Sequence, residues 1–135
     1  MAIPTKDLKG ITDAIESALA EQGIKDSDQL LEAAATPKQR KELAAAVGAA
    51  PRAVLELANR ADLSRVKGVA GVYSDLLEQA GVDTVKELAT RRPDNLYKKI
   101  IETNESAGLT RQPPKESDVE SWVAQAKDLL KILEY

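Results

Sequence analysis

The sequence predicts an all-α protein, and three observations support that prediction. Alanine and leucine, which are strong helix formers, are the commonest residues, whereas phenylalanine is absent from the 135-residue chain. Apolar residues recur at i, i+3 and i+4 spacing, which is typical of helices with one buried face. No stretch alternates apolar and polar residues over the length of a strand. We expect about eight helices.

Composition excludes several classes of function. Cysteine and histidine are absent, which excludes disulfides, cysteine or histidine zinc sites and imidazole bases. The net charge of −3 is not typical of a protein that coats nucleic acid or an anionic membrane. No apolar run approaches the roughly 20 residues of a membrane span, and the N-terminus lacks the layout of a signal peptide. We therefore expect a cytoplasmic protein with no membrane partner, metal or cofactor.

The chain repeats itself at an offset of 58 residues. The segment Leu8-Lys9-Gly10-Ile11 aligns with Val66-Lys67-Gly68-Val69, and the helical apolar positions that follow also match. Gly23 aligns with Gly81, and each suits the left-handed position that ends a helix. These matches predict a tandem duplication, with copies at 1–62 and 63–135 packed as one compact unit.

Each copy is expected to contain four helices, because capping signals recur within it. Asp26 and Thr84 are expected to begin the second helices. Thr36 with Gln39 forms a capping box around Pro37, and Pro93 opens the third helix of the second copy. Ser117-Asp118-Val119-Glu120 is a further capping box. The expected third and fourth helices span 37–47 and 51–62 in the first copy, and 93–104 and 117–133 in the second.

The copies differ mainly in the connection between their third and fourth helices. The second copy has a polar insertion from Gly108 to Glu116, whereas the first has only Gly48 to Pro51. A lengthened loop on a repeated scaffold is a place where function can diverge. The alternative is a tolerated surface insertion, since surface loops accept added length at little cost.

The glycine-centred turns carry a resemblance to known proteins. The segment Val66-Lys67-Gly68-Val69-Ala70-Gly71 resembles the second half of a helix-hairpin-helix motif, and Leu8-Lys9-Gly10-Ile11-Thr12 is its counterpart in the first copy. The continuation Gln79-Ala80-Gly81-Val82-Asp83-Thr84-Val85-Lys86-Glu87-Leu88 is similar to a bacterial family catalogued as domain-of-unknown-function family 4332. This resemblance implies a compact helical unit built from such hairpins.

The resemblance to the helix-hairpin-helix superfamily implies a site for DNA phosphate, held by backbone N–H groups at a helix N-terminus. The second copy is the better candidate because Arg65 and Lys67 flank its turn and Gly71 follows it. The alternative for Gly68 is structural: glycine lets the chain turn and the helices pack closely. The candidate contacts at this turn are Arg65, Lys67, Gly68, Val69, Ala70 and Gly71.

A local excess of positive charge is a second candidate site. Arg91, Arg92, Lys98 and Lys99 face a single nearby carboxylate, Asp94. The alternative is a solvated helix face, which is common on soluble helices. Nucleic-acid sites also use stacking aromatics. The few aromatic residues here include Tyr73 and Trp122, which lie on apolar stripes and are expected in the core.

Three functional hypotheses are consistent with these features, and the two that we favour are non-catalytic. The preferred hypothesis is a non-catalytic binding or scaffolding module for another protein. The alternative is sequence-independent nucleic-acid binding through the turn of the second copy. A third hypothesis is an enzyme or small-molecule sensor with a mainly apolar cavity between the copies. No phosphate loop and no catalytic motif supports the enzyme.

Overall fold

The computed structural model describes residues 2–69, 71–129 and 131–135, and its architecture is all-α. In these ranges a short 3-10 helix, Thr5–Asp7, precedes eight α-helices, which confirms the predicted fold class. No helix among them is both long and apolar enough to cross a membrane. The α-helices are α1 (Asp13–Glu21), α2 (Ser27–Ala33), α3 (Pro37–Val47), α4 (Pro51–Leu63), α5 (Val72–Gln79), α6 (Val85–Ala89), α7 (Pro93–Ala107) and α8 (Glu116–Asp128).

Local capping signals set most of the helix starts. The Thr36 hydroxyl oxygen accepts a hydrogen bond from the Gln39 N–H at 3.2 Å, and the Gln39 Oε1 accepts one from the Thr36 N–H at 3.1 Å. This is the predicted capping box of α3. Proline occupies the first turn of α3, α4 and α7, where its missing N–H costs nothing. The predicted starts of these three helices are confirmed.

Two helices end in the same glycine-dependent way. Gly23 and Gly81 follow α1 and α5 with φ angles of +78° and +94°. The Ile24 N–H donates to the Leu19 carbonyl at 2.9 Å, and Val82 makes the equivalent bond at 2.7 Å. These bonds satisfy carbonyls at the helix end, as in the Schellman motif. The sequence prediction for both glycines is confirmed.

The ends of α7 and α8 depart from the predicted boundaries. α7 continues beyond residue 104 to Ala107, because Gly108 provides the left-handed cap at φ +61°. α8 begins at Glu116, so the predicted N-cap at Ser117 is wrong. The Asp118 carboxylate instead accepts a hydrogen bond from the Lys115 N–H at 2.9 Å, which moves the start by one residue.

The prediction that α8 continues to Leu133 is also wrong. α8 ends at Asp128, and residues 131–135 lie outside any helix. Leu133 is buried in the apolar cluster of the N-terminal half, and the Glu134 N–H donates to the Ala35 carbonyl at 2.7 Å. Burial of Leu133 and this backbone bond replace the further helical turn that the sequence spacing indicated.

The described core consists of two apolar clusters. One is built from side chains between Leu63 and Ala126, and the other from side chains between Leu8 and Ala61. Leu133 is the exception to this division, because it belongs to the second of these clusters. The C-terminal segment, residues 131–135, therefore connects the two halves of the chain.

A polar network also joins the halves. The Arg60 side chain on α4 donates to Asp75 and to the Ser74 hydroxyl, both on α5. Arg60 Nε also donates to the Glu78 carboxylate at 2.6 Å. Lys9, in the turn before α1, lies 3.6 Å from the other Asp75 oxygen. Because Arg60 and Asp75 are mostly buried, this network holds α5 in a defined position against the N-terminal half.

Candidate functional site

The turn before α5 is held by a side chain of α8. The Lys67 N–H donates to Gln125 Oε1 at 2.8 Å, and the Lys67 carbonyl accepts from Gln125 Nε2 at 3.4 Å. Val69 is fully buried, and its N–H donates to the Val66 carbonyl at 3.2 Å. Lys67 itself remains exposed. The Lys67 N–H, one of the donors expected for phosphate, is thus engaged by α8, while the Lys67 side chain is accessible.

Both described glycines of this turn have left-handed backbone angles. Gly68 has φ +92°, and Gly71, the N-cap of α5, has φ +70°. A Cβ at Gly68 would lie 3.1 Å from Trp122 Nε1, which is tighter than an ordinary contact, whereas a Cβ at Gly71 would meet nothing within 4 Å. These contacts favour the close-packing interpretation of Gly68. Ala70, another candidate contact, lies outside the described residues.

Arg65 is placed beside a buried carboxylate. Its Nη1 lies 2.9 Å from Asp62 Oδ1, and the two side chains are 12% and 5% exposed. The second Asp62 oxygen accepts a hydrogen bond from the Val85 N–H, the first residue of α6, at 2.8 Å. Asp62 therefore joins the segment after α4 to the start of α6, and Arg65 balances its charge.

Arg91 has a comparable structural role at the end of α5. Its Nη2 donates to the Gly81 carbonyl at 3.1 Å and to Glu87 Oε1 at 2.8 Å. The guanidinium thus satisfies a carbonyl that the left-handed glycine leaves outside the helix. One of the four cations in the second candidate site is consequently bound to groups of the protein itself.

The remaining cations of that site are exposed on α7 and just before it. Arg92 pairs with Asp94 at 3.2 Å, and the pKa of this carboxyl is lowered by the backbone N–H of the next residue and by the Arg92 guanidinium. Arg92 and Lys99 line a surface pocket together with Arg91. Lys98 is exposed but does not line this pocket. The described candidate residues of the turn before α5 do not line it either.

The long loop between α7 and α8 is tied down at two points. The Asn104 side-chain amide donates to the Thr110 carbonyl, and its oxygen accepts from the Thr110 N–H, both at 3.0 Å. The Tyr73 hydroxyl on α5 donates to the Gln112 carbonyl at 2.7 Å. The loop therefore has a fixed path that contacts the first turn of α5, next to the glycine-centred turn.

A cleft of about 300 Å³ lies between α6, the C-terminal end of α8 and residues 131–135, and we call it the C-terminal cleft. Apolar side chains form much of its walls: Val85, Ala89, Ala126, Leu129, Ile132 and Leu133. Its other lining residues are Asp62, Arg65, Thr84, Lys86, Thr90, Lys127, Lys131 and Tyr135. Apolar walls with a few polar groups are typical of sites for small molecules.

Positive charge predominates among the residues that line the C-terminal cleft. Its lining includes Arg65 and the exposed residues Lys86, Lys127 and Lys131, against the single carboxylate of Asp62. Asp62 is already paired with Arg65. The whole chain has a net charge of −3, so this excess is local. The cleft is therefore suited to a negatively charged group.

Tyr135 lies at the mouth of the C-terminal cleft. Its hydroxyl donates to Asn59 Oδ1 at 2.8 Å, and the Arg40 guanidinium carbon lies 5.6 Å from the centre of its ring. Partial burial raises the pKa of the Tyr135 phenol to about 12, and the negative charges of Asp83 and Asp62 contribute to the rise. The hydroxyl therefore remains a neutral donor at physiological pH.

Comparison with protein families provides an identification. The model of the family described as Domain of unknown function (DUF4332) matches residues 9–129. The chain belongs to this family. Comparisons of the DUF4332 chain with curated proteins and with solved structures find no match.

Sequence reasoning did not locate the C-terminal cleft of this DUF4332 protein. Arg65 is the one candidate residue from the sequence that lines it. Lys86, Lys127 and Lys131 form no local run, and the expected extension of α8 to Leu133 concealed the segment that forms one wall. The one sequence signal for the cleft was the spacing of Lys127 and Lys131 on either side of apolar residues. Lysines four positions apart are also typical of the solvent-exposed face of a helix. Within the described residues no cluster suited to a metal ion occurs.

Proposed function

We propose that this DUF4332 chain is a non-catalytic binding module whose ligand site is the C-terminal cleft. The observation that carries this proposal is the combination of apolar walls with a rim of lysine side chains. Among the described residues, the one large apolar side chain that is strongly exposed is Tyr135, which lies at the same cleft. Exposed apolar surface concentrated at a concave site favours ligand binding there.

A protein partner is the class that the sequence favours, and the cleft restricts how such a partner would bind. The described surface supports insertion of a side chain into the cleft rather than docking on a broad apolar face. An apolar anchor in a desolvated pocket is the usual centre of a protein interface. A partner would therefore present an apolar side chain flanked by acidic residues.

A cleft-filling variant tests the location of the site. Ala89→Leu adds volume inside the cleft, and Ala53→Leu makes the same change at another half-buried helical position outside it. Each protein is immobilised and exposed to an extract of the native host, and retained molecules are purified and titrated calorimetrically. We expect a ligand that binds the native chain and Ala53→Leu but not Ala89→Leu. Equal binding to all three proteins would contradict the proposal.

Nucleic-acid binding at the turn before α5 is the second candidate function. It is supported by the positive φ angles of Gly68 and Gly71 and by the exposure of Lys67. Anisotropy of labelled duplex DNA and RNA, measured at about 50 and about 200 mM salt, tests it. Affinity that falls steeply with salt and with Lys67→Glu would support phosphate contact. Absence of binding at tens of micromolar protein would exclude it.

We also infer that the two halves are copies of one helix-hairpin-helix-like unit. This inference is supported by the nearly equal φ angles of Gly10 and Gly68, +90° and +92°, in the paired turns. The shared Schellman ends at Gly23 and Gly81 support it further. A cytoplasmic location in a bacterium remains a prediction, which fractionation of the host cells would check.

A further inference from the structure

The three lysines of the C-terminal cleft differ from Arg65, the other cation of its lining, which is paired with a carboxylate. Asp62 is paired with Arg65, and no ion pair to any described residue involves Lys86, Lys127 or Lys131. A carboxylate or phosphate entering the cleft would therefore meet three exposed ammonium groups. Because like charges repel, the same arrangement disfavours a cationic ligand.

The apolar part of the cleft limits the size and shape of a ligand. A volume of about 300 Å³ is at the lower end of the range for small-molecule sites. Ala89 on α6, Leu129 after α8 and Ile132 in the C-terminal segment contribute apolar walls. Such a space accepts a short alkyl chain or a small aromatic system.

The wall formed by the C-terminal segment is held in place by the N-terminal half. Besides the bond from Glu134 to Ala35, Arg40 Nη2 donates to the Glu134 carbonyl at 2.6 Å. Leu133 is anchored in the apolar cluster of that half. The cleft is therefore formed before any ligand arrives, which lowers the entropy cost of binding.

We propose that the C-terminal cleft binds a small anionic amphiphile. Its apolar body lies between α6 and the C-terminal segment, and its carboxylate or phosphate group faces Lys86, Lys127 and Lys131. This inference rests on the proposed function, in which the cleft is the ligand site. It commits to a free small molecule as the occupant, whereas a protein partner would have to present the same chemistry on a side chain.

Two fluorescent probes distinguish the contribution of the negative charge to binding from the contribution of the apolar body. Anilinonaphthalene sulfonate carries an anionic group, and phenylnaphthylamine has nearly the same aromatic body without it. Both are titrated against the native protein, Lys127→Gln/Lys131→Gln and Ala89→Leu. The matched control is Lys38→Gln/Lys41→Gln, which removes two exposed lysines from α3, outside the cleft.

We expect the anionic probe to bind at one site with greater affinity than the neutral probe. The cleft double variant should weaken binding of the anionic probe by about tenfold, since it removes two of the three exposed ammonium groups. The control variant should leave both affinities unchanged. Ala89→Leu should abolish binding of both probes, because it fills their common site.

The possible failures are distinguishable. If Ala89→Leu abolishes both probes but the lysine substitutions change neither affinity, the cleft is a ligand site without anion selectivity, and this inference is overturned. If Ala89→Leu affects neither probe, the proposed function is overturned as well. Because the anionic probe also binds molten-globule states, which keep their far-ultraviolet circular dichroism, each variant must retain the native near-ultraviolet spectrum. Thr90→Leu, at an exposed cleft position, replaces Ala89→Leu if that variant is misfolded.

Discussion

At the scale of single residues, Gly68 combines a left-handed backbone angle, which glycine adopts freely, with a close neighbour. Its φ of +92° disfavours any other residue, and an added Cβ would lie 3.1 Å from Trp122 Nε1. We predict that Gly68→Ala lowers the free energy of unfolding by about 1–3 kcal/mol. Urea denaturation followed by Trp122 fluorescence measures this loss.

Gly23→Ala provides the control for Gly68→Ala. Gly23 has a similar φ of +78°, but a Cβ there would meet nothing within 4 Å. This variant therefore isolates the backbone cost from the steric cost. A loss for Gly23→Ala as large as that for Gly68→Ala would show that the Trp122 contact contributes nothing.

Titration of Tyr135 makes the folding stability depend on pH in the alkaline range. The raised pKa of about 12, against an ordinary value of about 10, means that the folded chain retains a proton that the unfolded chain loses between these values. The stabilisation is therefore complete below pH 10 and is lost as pH rises through about 12. Urea denaturation at a series of alkaline pH values should show this decline.

Tyr135→Phe tests the origin of that decline. Phenylalanine preserves the ring above which the Arg40 guanidinium lies but has no titrating hydroxyl. The difference in unfolding free energy between native chain and variant should shrink as pH rises from 10 to 12. A difference that stays constant over this range would contradict the assignment.

The structural role of a residue was predictable from the sequence where its hydrogen-bond partner lies within a few residues along the chain. The left-handed glycines at 23 and 81 and the Thr36 capping box are of this kind. The bonds of Lys67 to Gln125 were not predictable, because their partners are separated by 58 residues. Contacts of that range depend on how the helices pack.

At the scale of elements, the C-terminal segment is stabilised by its contact with the N-terminal half. Leu133 is 3% exposed in the cluster of that half. We predict that Leu133→Ala lowers the free energy of unfolding by about 2–5 kcal/mol, because it leaves a cavity in a packed core. Chemical denaturation followed by circular dichroism provides the measurement.

Ile132→Ala is the matched comparison within the same segment. Ile132 is only half-buried: it packs at the edge of the same cluster and lines the C-terminal cleft. Its truncation should cost less than half as much as that of Leu133 and should weaken binding of the neutral probe. Equal losses of stability for the two variants would contradict the anchoring role of Leu133.

At the scale of the whole molecule, the halves should unfold together. Arg60 joins α4 to Asp75 and Glu78 of α5, and both Arg60 and Asp75 are mostly buried. We predict that Arg60→Met lowers the free energy of unfolding by about 2–4 kcal/mol, since it leaves a buried carboxylate with weaker compensation. Circular dichroism and Trp122 fluorescence should report the same reduced midpoint.

The comparison of these two signals tests the coupling between the halves. Trp122 reports on the C-terminal half, whereas circular dichroism reports on all helices. In the native protein the two transitions should superimpose, as expected for one cooperative unit. A circular dichroism transition in two steps, with only one matched by fluorescence, would mean that the halves unfold independently.

Local sequence signals determined the helical class, the number of helices and most of their boundaries. Capping boxes, first-turn prolines and left-handed glycines act over about four residues, so their effect can be derived without knowing the fold. Apolar spacing likewise indicated which helix faces are buried. These signals were sufficient for the starts of α3, α4 and α7.

Tertiary packing alone decided the path of the chain after α8 and the existence of the C-terminal cleft. The spacing of Leu129 and Leu133 is compatible with a helix, and only the burial of Leu133 in the apolar cluster of the other half favours a non-helical path for residues 131–135. One more helical turn after α8 competes with burial of Leu133 against residues of the N-terminal half, which are distant in the sequence. Local sequence signals cannot predict which of the two is more stable. The cleft and its lysine rim follow from it.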